Sequence, residues 1–180
     1  MMNRRRSPIL LAALAGIGVV LALGVLVVTQ PRTSSSKLFP DELAGMPLAV
    51  YVDGAAAIAE VQALHRDNPS VKMVNAYLVR YSGTGTARAR FWVSEATSDT
   101  EAASLVAAMR STVGNSGVFS QPVPLTLEGL AAYSVKGPPE IGTYNYFYAK
   151  GRLVVWVQID GPDEARRMGI LGESVRRIGP

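Results

Sequence analysis

Few side chains in this sequence are suited to catalysis. The chain contains no cysteine and one histidine, His65, so its composition excludes a cysteine nucleophile, a disulfide and a histidine-rich metal site. His65 lies near the end of a segment with helical apolar spacing, where an imidazolium complements the helix C-terminus. We therefore interpret His65 as a helix-capping residue and predict that the protein is not an enzyme.

Acidic residues occur in two close pairs, Asp99 with Glu101 and Asp163 with Glu164. Paired carboxylates can act as general acid and base, but each pair stands in the first turn of a predicted helix, where acids complement the helix dipole. Glu101 also follows Ser98 by three residues, the spacing of a capping box. The pairs are therefore expected to start helices.

Metal and phosphate sites have little support in the sequence. Glu95, Asp99 and Asp160 are conceivable ligands for a hard cation, but the calcium-loop pattern Asp-x-Asp-x-Asp-Gly is absent. The glycine-rich stretch SGTGT at 82–86 lies between two predicted strands and does not open a helix, so it does not predict a phosphate cradle. We expect no metal and no cofactor.

Both tryptophans fall on the more polar side of a predicted strand. Strand alternation places Trp92 with Arg88 and Arg90, and Trp156 with other polar side chains. In one reading, helix 54–66 or a connector covers the tryptophans as part of the core, with each indole N–H hydrogen-bonded.

In the alternative reading this face is partly open. Tryptophan and arginine are the side chains that most often anchor protein interfaces. The face would then be an interaction surface formed by Trp92, Trp156, Arg88, Arg90 and Phe147. Arg88 and Arg90 would suit acidic lipid headgroups or an acidic partner, although a solvated strand face explains them as well. A small-molecule pocket is a third possibility.

Alternating strand and helix patterns position these side chains and predict an α+β fold. A mostly antiparallel sheet of about six strands is expected to carry three helices. The predicted helices cover 54–66, 98–113 and 162–178, and the predicted strands cover 47–52, 74–81, 87–93, 127–137, 143–148 and 152–159.

The turn before the last strand decides where the tyrosines of segment 143–148 face. A two-residue turn at Lys150–Gly151 places Tyr148 opposite Leu153, on the aliphatic face. A three-residue loop at 149–151 places the tyrosines beside Trp156 instead. Burial with aliphatic side chains favours the first arrangement.

The chain also repeats itself. FWVSEATSDTEAA at 91–103 resembles VWVQIDGPDEAR at 155–166, and LAGMPLAVYVDG at 43–54 resembles LEGLAAYSVKG at 127–137. The second comparison matches Leu43, Gly45, Tyr51 and Gly54 with Leu127, Gly129, Tyr133 and Gly137. The matches keep their order, which favours a degenerate tandem duplication of a strand–hairpin–helix unit over coincidence.

An uncharged stretch of 21 residues at 8–28 predicts a transmembrane helix. About 20 apolar helical residues cross the ~30 Å hydrocarbon core, and no small-x-small cleavage site follows. Arg4, Arg5 and Arg6 precede the stretch, so residues 1–7 are expected to stay cytoplasmic. We predict an uncleaved single-pass signal anchor in the cell membrane.

The rest of the chain is expected outside the cytoplasm, with a Pro/Ser/Thr linker at 29–38 and one domain at 39–180. The whole chain has a net charge of +4, but the domain contains 13 basic and 14 acidic residues. Its positive charge therefore belongs to the N-terminal segment, which argues against nucleic acid as a partner.

These features together predict an anchored interaction or accessory module. Its expected partners are the lipid bilayer, through residues 8–28, and a protein in the membrane or at its outer face, as in a small subunit of a larger complex. The alternative is an anchored ligand-binding or solute-sensing domain with a pocket lined by tyrosines and by Trp92 or Trp156.

Overall fold

One antiparallel sheet organises the residues that the computed structural model describes, which are 38–65, 72–85, 87–137, 143–161 and 163–179. The predicted cytoplasmic tail, the anchor and residues 29–37 of the linker lie outside this part of the chain. Within the described residues, no helix is both long and apolar enough to cross a membrane.

The sheet has eight strands, and three helices accompany it, so the predicted α+β class is confirmed. The strands are β1 (Glu42–Leu43), β2 (Met46–Asp53), β3 (Asn75–Ser82), β4 (Arg88–Glu95), β5 (Val123–Leu127), β6 (Leu130–Lys136), β7 (Tyr144–Lys150) and β8 (Leu153–Ile159). The helices are α1 (Gly54–Leu64), α2 (Asp99–Asn115) and α3 (Glu164–Arg177).

The expected number of about six strands was too low by two. Strand β1 has only two residues, which is too short to show an alternating pattern. Strand β5 contains Pro124 and follows Pro122, so its sequence resembles a connector. Both strands form because a tight turn folds each of them back onto the strand that follows.

These two edge hairpins have the same turn. Leu43 pairs with Met46 across Ala44–Gly45, and Leu127 pairs with Leu130 across Glu128–Gly129. All four central residues have positive φ, at 49° and 75° in the first turn and 51° and 80° in the second. This is the backbone of a type I′ turn, whose twist matches that of the flanking strands.

The strand order is β1-β2-β3-β4-β8-β7-β6-β5. The two sets of four strands occupy mirrored places, with β1 and β5 at the edges and β4 and β8 at the centre, and we call this order palindromic. Strands β4 and β8 form the central pair, and within it Trp92 lies directly opposite Trp156. Phe91 lies opposite Val157 and Val93 opposite Val155 in the same ladder. This pairing is the only one in the described sheet that joins strands from distant parts of the chain.

Helix α3 and the main core lie on one face of the sheet. Leu171, buried completely, belongs to the same cluster as Phe91, Val155 and Tyr148. The helix contacts both edge strands, β1 and β5. Eight flat strands at ~4.8 Å spacing would span more than 30 Å, about three times the width of a helix, so the sheet must curve around α3.

The two ends of the described chain meet beside α3. The backbone N–H of Gly179 donates to the carbonyl oxygen of Leu38 at 3.1 Å. Lys150 Nζ donates to the Ile178 carbonyl at 2.7 Å, and Arg177 Nη1 donates to the Glu42 carbonyl at 3.0 Å. These contacts join the C-terminus to the point where the domain begins.

Helices α1 and α2 cover the opposite face. Ala57 and Val61 of α1 form a cluster with Ala76, against which Trp92 packs. A second cluster joins α2 to β6, β7 and β8, and Trp156 packs against it. The sheet is therefore covered on both faces, and the reading in which helices cover the tryptophans as core is confirmed for most of their surface.

The core of α3 offers a stability test with a matched control on the same helix. Leu171→Ala removes a fully buried side chain, and we expect the free energy of unfolding to fall by about 2–5 kcal/mol. Gly169→Ala adds a methyl group that meets no atom within 4 Å, and should raise it by up to about 1 kcal/mol. Urea unfolding of the full chain in mild detergent, followed by tryptophan fluorescence, measures both; equal effects would contradict this packing.

Tyr148 predicts a loss of stability at alkaline pH. Burial raises the pKa of Tyr148 to about 12, partly opposed by its hydrogen bond with Ser174. The unfolded phenol titrates near pH 10, so the unfolded state binds fewer protons above that pH. Tyr148 therefore contributes on the order of 2 kcal/mol to the free energy of unfolding. This stabilisation is present in full below pH 10 and is lost as the pH rises through 12. Tyr148→Phe should flatten the unfolding free energy over this range; an unchanged alkaline slope would contradict the assignment.

Candidate interaction surface

Strands β4 and β8 meet between the two helices of the convex face. Helix α1 packs on β2, β3 and β4, whereas α2 packs on β7 and β8. Trp92 and Trp156, here called the tryptophan seam, lie opposite each other at this junction, and both are partly exposed. The tryptophan seam therefore lies on the band of sheet between α1 and α2, and we call this band the trough.

Trp156 is held by aromatic contacts and one hydrogen bond. Its ring stacks on Phe147 with centroids 5.5 Å apart and planes at 4°, and Phe119 contacts it edge-on at 5.5 Å. The indole N–H donates to Asn145 Oδ1 at 3.2 Å. Phe147 has no exposed surface. This residue, expected on the interaction surface, therefore supports Trp156 from the neighbouring strand and is not itself open to a partner.

Three arginines lie on the same face of the sheet as the tryptophan seam, towards the end that neither helix covers. Arg90 precedes Trp92 by two residues, and Arg88 precedes Arg90 by two, so all three share a side of β4. Arg80 of β3 lies directly opposite Arg90. We call Arg80, Arg88 and Arg90 the arginine strip.

The arginine strip is incompletely neutralised. Arg90 forms an ion pair with Asp160 at 3.5 Å, with 30% and 25% of their side chains exposed. Arg80 and Arg88 are exposed, and the structure gives neither an acidic partner among the residues it describes. Like charges directly opposite each other on neighbouring strands destabilise a sheet, so the pair of Arg80 and Arg90 costs stability in the free protein.

The acidic pairs of the sequence are parts of helix starts. Ser98 Oγ accepts from the N–H of Glu101 at 3.1 Å, and Glu101 accepts from the N–H of Thr97 at 3.0 Å. The hydrogen bonds from Thr97 lower the pKa of Glu101. Asp163 accepts from the N–H of Arg166 at 3.1 Å. The predicted cap by Ser98 is confirmed, but the returning bond of the capping box goes to the N–H of Thr97, one residue before the N-cap.

The conceivable cation ligands lie apart from one another. Glu95 Oε1 accepts from Arg152 at 2.5 Å and its Oε2 from the hydroxyl of Tyr77 at 3.2 Å, while Asp160 pairs with Arg90. Burial, followed by the charge of Glu95, raises the pKa of Tyr77. No group of three potential metal ligands occurs in the part of the chain that the structure describes.

His65 ends helix α1, as predicted. Its backbone N–H donates to the Gln62 carbonyl at 2.9 Å, and its Nδ1 lies 2.9 Å from the carbonyl oxygen of Val61. The SGTGT stretch joins β3 to β4, as the predicted hairpin requires, and Gly83 N–H donates to the Ala87 carbonyl at 2.9 Å. Thr86 lies outside the described residues.

The tyrosines of β7 lie on the α3 face, as the favoured register predicted, but the turn lies one residue later. Lys150 pairs with Leu153 across Gly151–Arg152, and Tyr148 therefore faces Val155. The tyrosines and the tryptophan seam lie on opposite faces of the sheet. A single pocket lined by both, which the ligand-binding alternative requires, is therefore not formed.

Sequence reasoning missed the role of Arg167. This arginine is 4% exposed, although it lies in the charged first half of α3. Its guanidinium lies 3.5 Å above the ring of Tyr144 and donates to Gly161 O at 2.7 Å and to the Tyr146 hydroxyl at 3.3 Å. The tyrosines at alternate positions of β7 were the available signal, because cations stack favourably on tyrosine rings.

A cleft of about 440 Å³ lies away from the tryptophan seam. Its lining comes from the C-terminal half of α2 and the connector before β5, including Arg110, Asn115 and Gln121. Arg110 lies 5.4 Å above the ring of Tyr133, and Gln121 Nε2 donates to the Gly114 carbonyl at 2.6 Å. Arg110 and Gln121 thus already have contacts within the protein.

No family model, curated protein or solved structure matches this chain.

The helix-capping assignment predicts a measurable cost for losing one hydroxyl. Ser98→Ala removes the acceptor of the Glu101 N–H, and we expect it to lower the free energy of unfolding by about 1 kcal/mol. Ser111→Ala, at an exposed position of the same helix, should change it by less than about 0.5 kcal/mol. Chemical denaturation of both variants checks this; a neutral Ser98→Ala would refute the capping role.

Proposed function

We propose that this protein is a membrane-anchored extracytoplasmic interaction module, and that its partner docks on the sheet face that carries the tryptophan seam. One observation carries the proposal: Trp92 and Trp156 remain partly exposed beside the arginine strip, in which Arg80 and Arg88 have no acidic partner among the described residues. Partly exposed tryptophans beside arginines have the composition of interface anchors. In this proposal the protein is a small accessory subunit of a larger membrane complex.

The anchoring part of the proposal is supported by the sequence. Residues 8–28 are long and apolar enough to span a bilayer, and Arg4, Arg5 and Arg6 favour a cytoplasmic N-terminus. Small residues within the segment, as in GIGVV and ALAG, permit close approach of a neighbouring helix. The anchor would then place the domain beside a membrane partner.

We also propose that the domain arose by tandem duplication. Leu78 faces Trp92 in the first half, and Phe147 faces Trp156 in the second. The shared type I′ turns and the palindromic strand order support the same origin. The sequence comparison matched Tyr51 with Tyr133, and this match needs correction. Val52 pairs with Leu78 as Tyr133 pairs with Phe147, so Val52 is the equivalent of Tyr133.

The proposed activity is binding, without catalysis, a cofactor or nucleic acid. The absence of cysteine and the single histidine leave few candidate catalytic groups. The near-neutral charge of residues 39–180 gives no broad basic surface for phosphate backbones. The arginine strip is small and lies beside aromatic side chains, which suits a protein ligand better.

Photo-crosslinking tests whether this face is the docking site. A benzophenone amino acid replaces Gln158, a partly exposed residue on the same face of β8 as Trp156. We expect the full chain in its native membrane to form one dominant crosslinked adduct with a protein.

The matched control carries the same probe in place of Arg166, which is exposed on α3 at the opposite face. Equal labelling from both positions, or only monomer from both, would refute docking on the proposed face. Thermal unfolding of the two probe-bearing chains confirms that each is folded before irradiation.

A further inference from the structure

We infer that the partner reaches this surface as an extended acidic segment that lies along β4, with carboxylates on the arginine strip and an apolar side chain on the tryptophan seam. This inference rests on the proposed function and adds the chemistry of the partner. It follows from the charge of the strip, the spacing of its side chains and the position of the tryptophan seam between two helices.

The charge of the strip calls for an anionic ligand. Arg80 and Arg90 are directly opposite each other, and Arg88 is one side-chain position further along β4. Asp160 neutralises part of this charge through its ion pair with Arg90. Carboxylates inserted between the arginines would relieve the repulsion, and the planar guanidinium binds carboxylates in a bidentate manner.

The spacing of the side chains fits an extended ligand. Alternate residues of a strand lie about 6.7 Å apart, so Arg88, Arg90 and Trp92 form a row on one side of β4. An extended peptide has the same period. It can therefore place acids over Arg88 and Arg90 and an apolar side chain over Trp92, in the pattern acid-x-acid-x-apolar.

The trough favours a peptide segment over a membrane surface. The tryptophans lie on the sheet, and α1 and α2 rise on either side of them. A bilayer is broad and would meet the helices first, whereas one extended strand is only about 5 Å wide. The open end of the trough, at Arg80 and Arg88, gives such a segment its way in.

Strand addition at the sheet edges is a poorer route for the same ligand. Strand β1 offers only two residues, and Pro124 in β5 has no N–H to donate to an added strand. The segment is therefore assigned to the face of the sheet.

A synthetic peptide tests the inference directly. The full chain is placed in nanodiscs of neutral phosphatidylcholine and titrated with the blocked peptide Thr-Glu-Thr-Glu-Thr-Leu-Thr. Because Trp92 and Trp156 are the only tryptophans in the chain, their fluorescence reports ligand at the seam. We expect saturable binding with a shift of tryptophan emission, weakened by added salt.

Charge reversal supplies the decisive comparison. Arg80→Glu combined with Arg88→Glu should weaken peptide binding at least tenfold, whereas Arg166→Glu, a single reversal on the opposite face, should alter it less than twofold. A peptide with lysine in place of both glutamates should bind the doubly reversed variant better than it binds the native chain. Thermal unfolding of each variant verifies that it is folded.

Three results would overturn the inference. One is no saturable binding of the acidic peptide to the native chain. Another is equal weakening by Arg166→Glu. The third is tighter, arginine-strip-dependent binding of anionic phosphatidylglycerol vesicles than of the peptide, which would assign the strip to lipid headgroups. A protein adduct from position 158 with no peptide binding would leave the proposed function standing and remove only the acidic-segment assignment.

Discussion

The pairing of β4 with β8 is the constraint on which the rest of this structure depends. It aligns Trp92 with Trp156 and makes one continuous sheet from two sets of strands that are otherwise local in sequence. On one face the pairing creates the surface that closes around α3. On the other it brings two bulky indoles together at a junction that α1 and α2 approach from either side. The core and the candidate interaction surface thus have a common cause.

The tryptophans have a structural and a proposed binding role at the same time. Trp156 stacks on Phe147 and donates to Asn145, so its orientation is fixed before any ligand arrives. A rigid aromatic anchor loses little conformational entropy on binding. The arginine strip, in contrast, is anchored by a single partly exposed ion pair, which contributes little stability. In the proposed binding, the aromatic anchor would be pre-formed, whereas the charge of Arg80 and Arg88 would be neutralised by the partner.

The sequence predicted the elements with strong periodicity and missed those that depend on turns. Helix α2 and the strands around Trp92 and Trp156 follow from capping and alternation, whereas β1 has too few residues to alternate. For the site, strand parity correctly separated the tryptophans from the aliphatic face. It could not show that Phe147 lies opposite Trp156, or that Arg80 lies opposite Arg90, because both facts depend on how strands pair.

The palindromic strand order also has a consequence for how the chain folds. All neighbouring strands except β4 and β8 are consecutive in the sequence, so each half of the sheet is built from contacts between nearby segments. The central pair joins residues separated by α2 and three strands, and closing so long a loop costs more entropy than any other pairing in the described sheet. Trp92 and Trp156 face each other only in this pair. Their fluorescence is therefore expected to report the formation of the central pair.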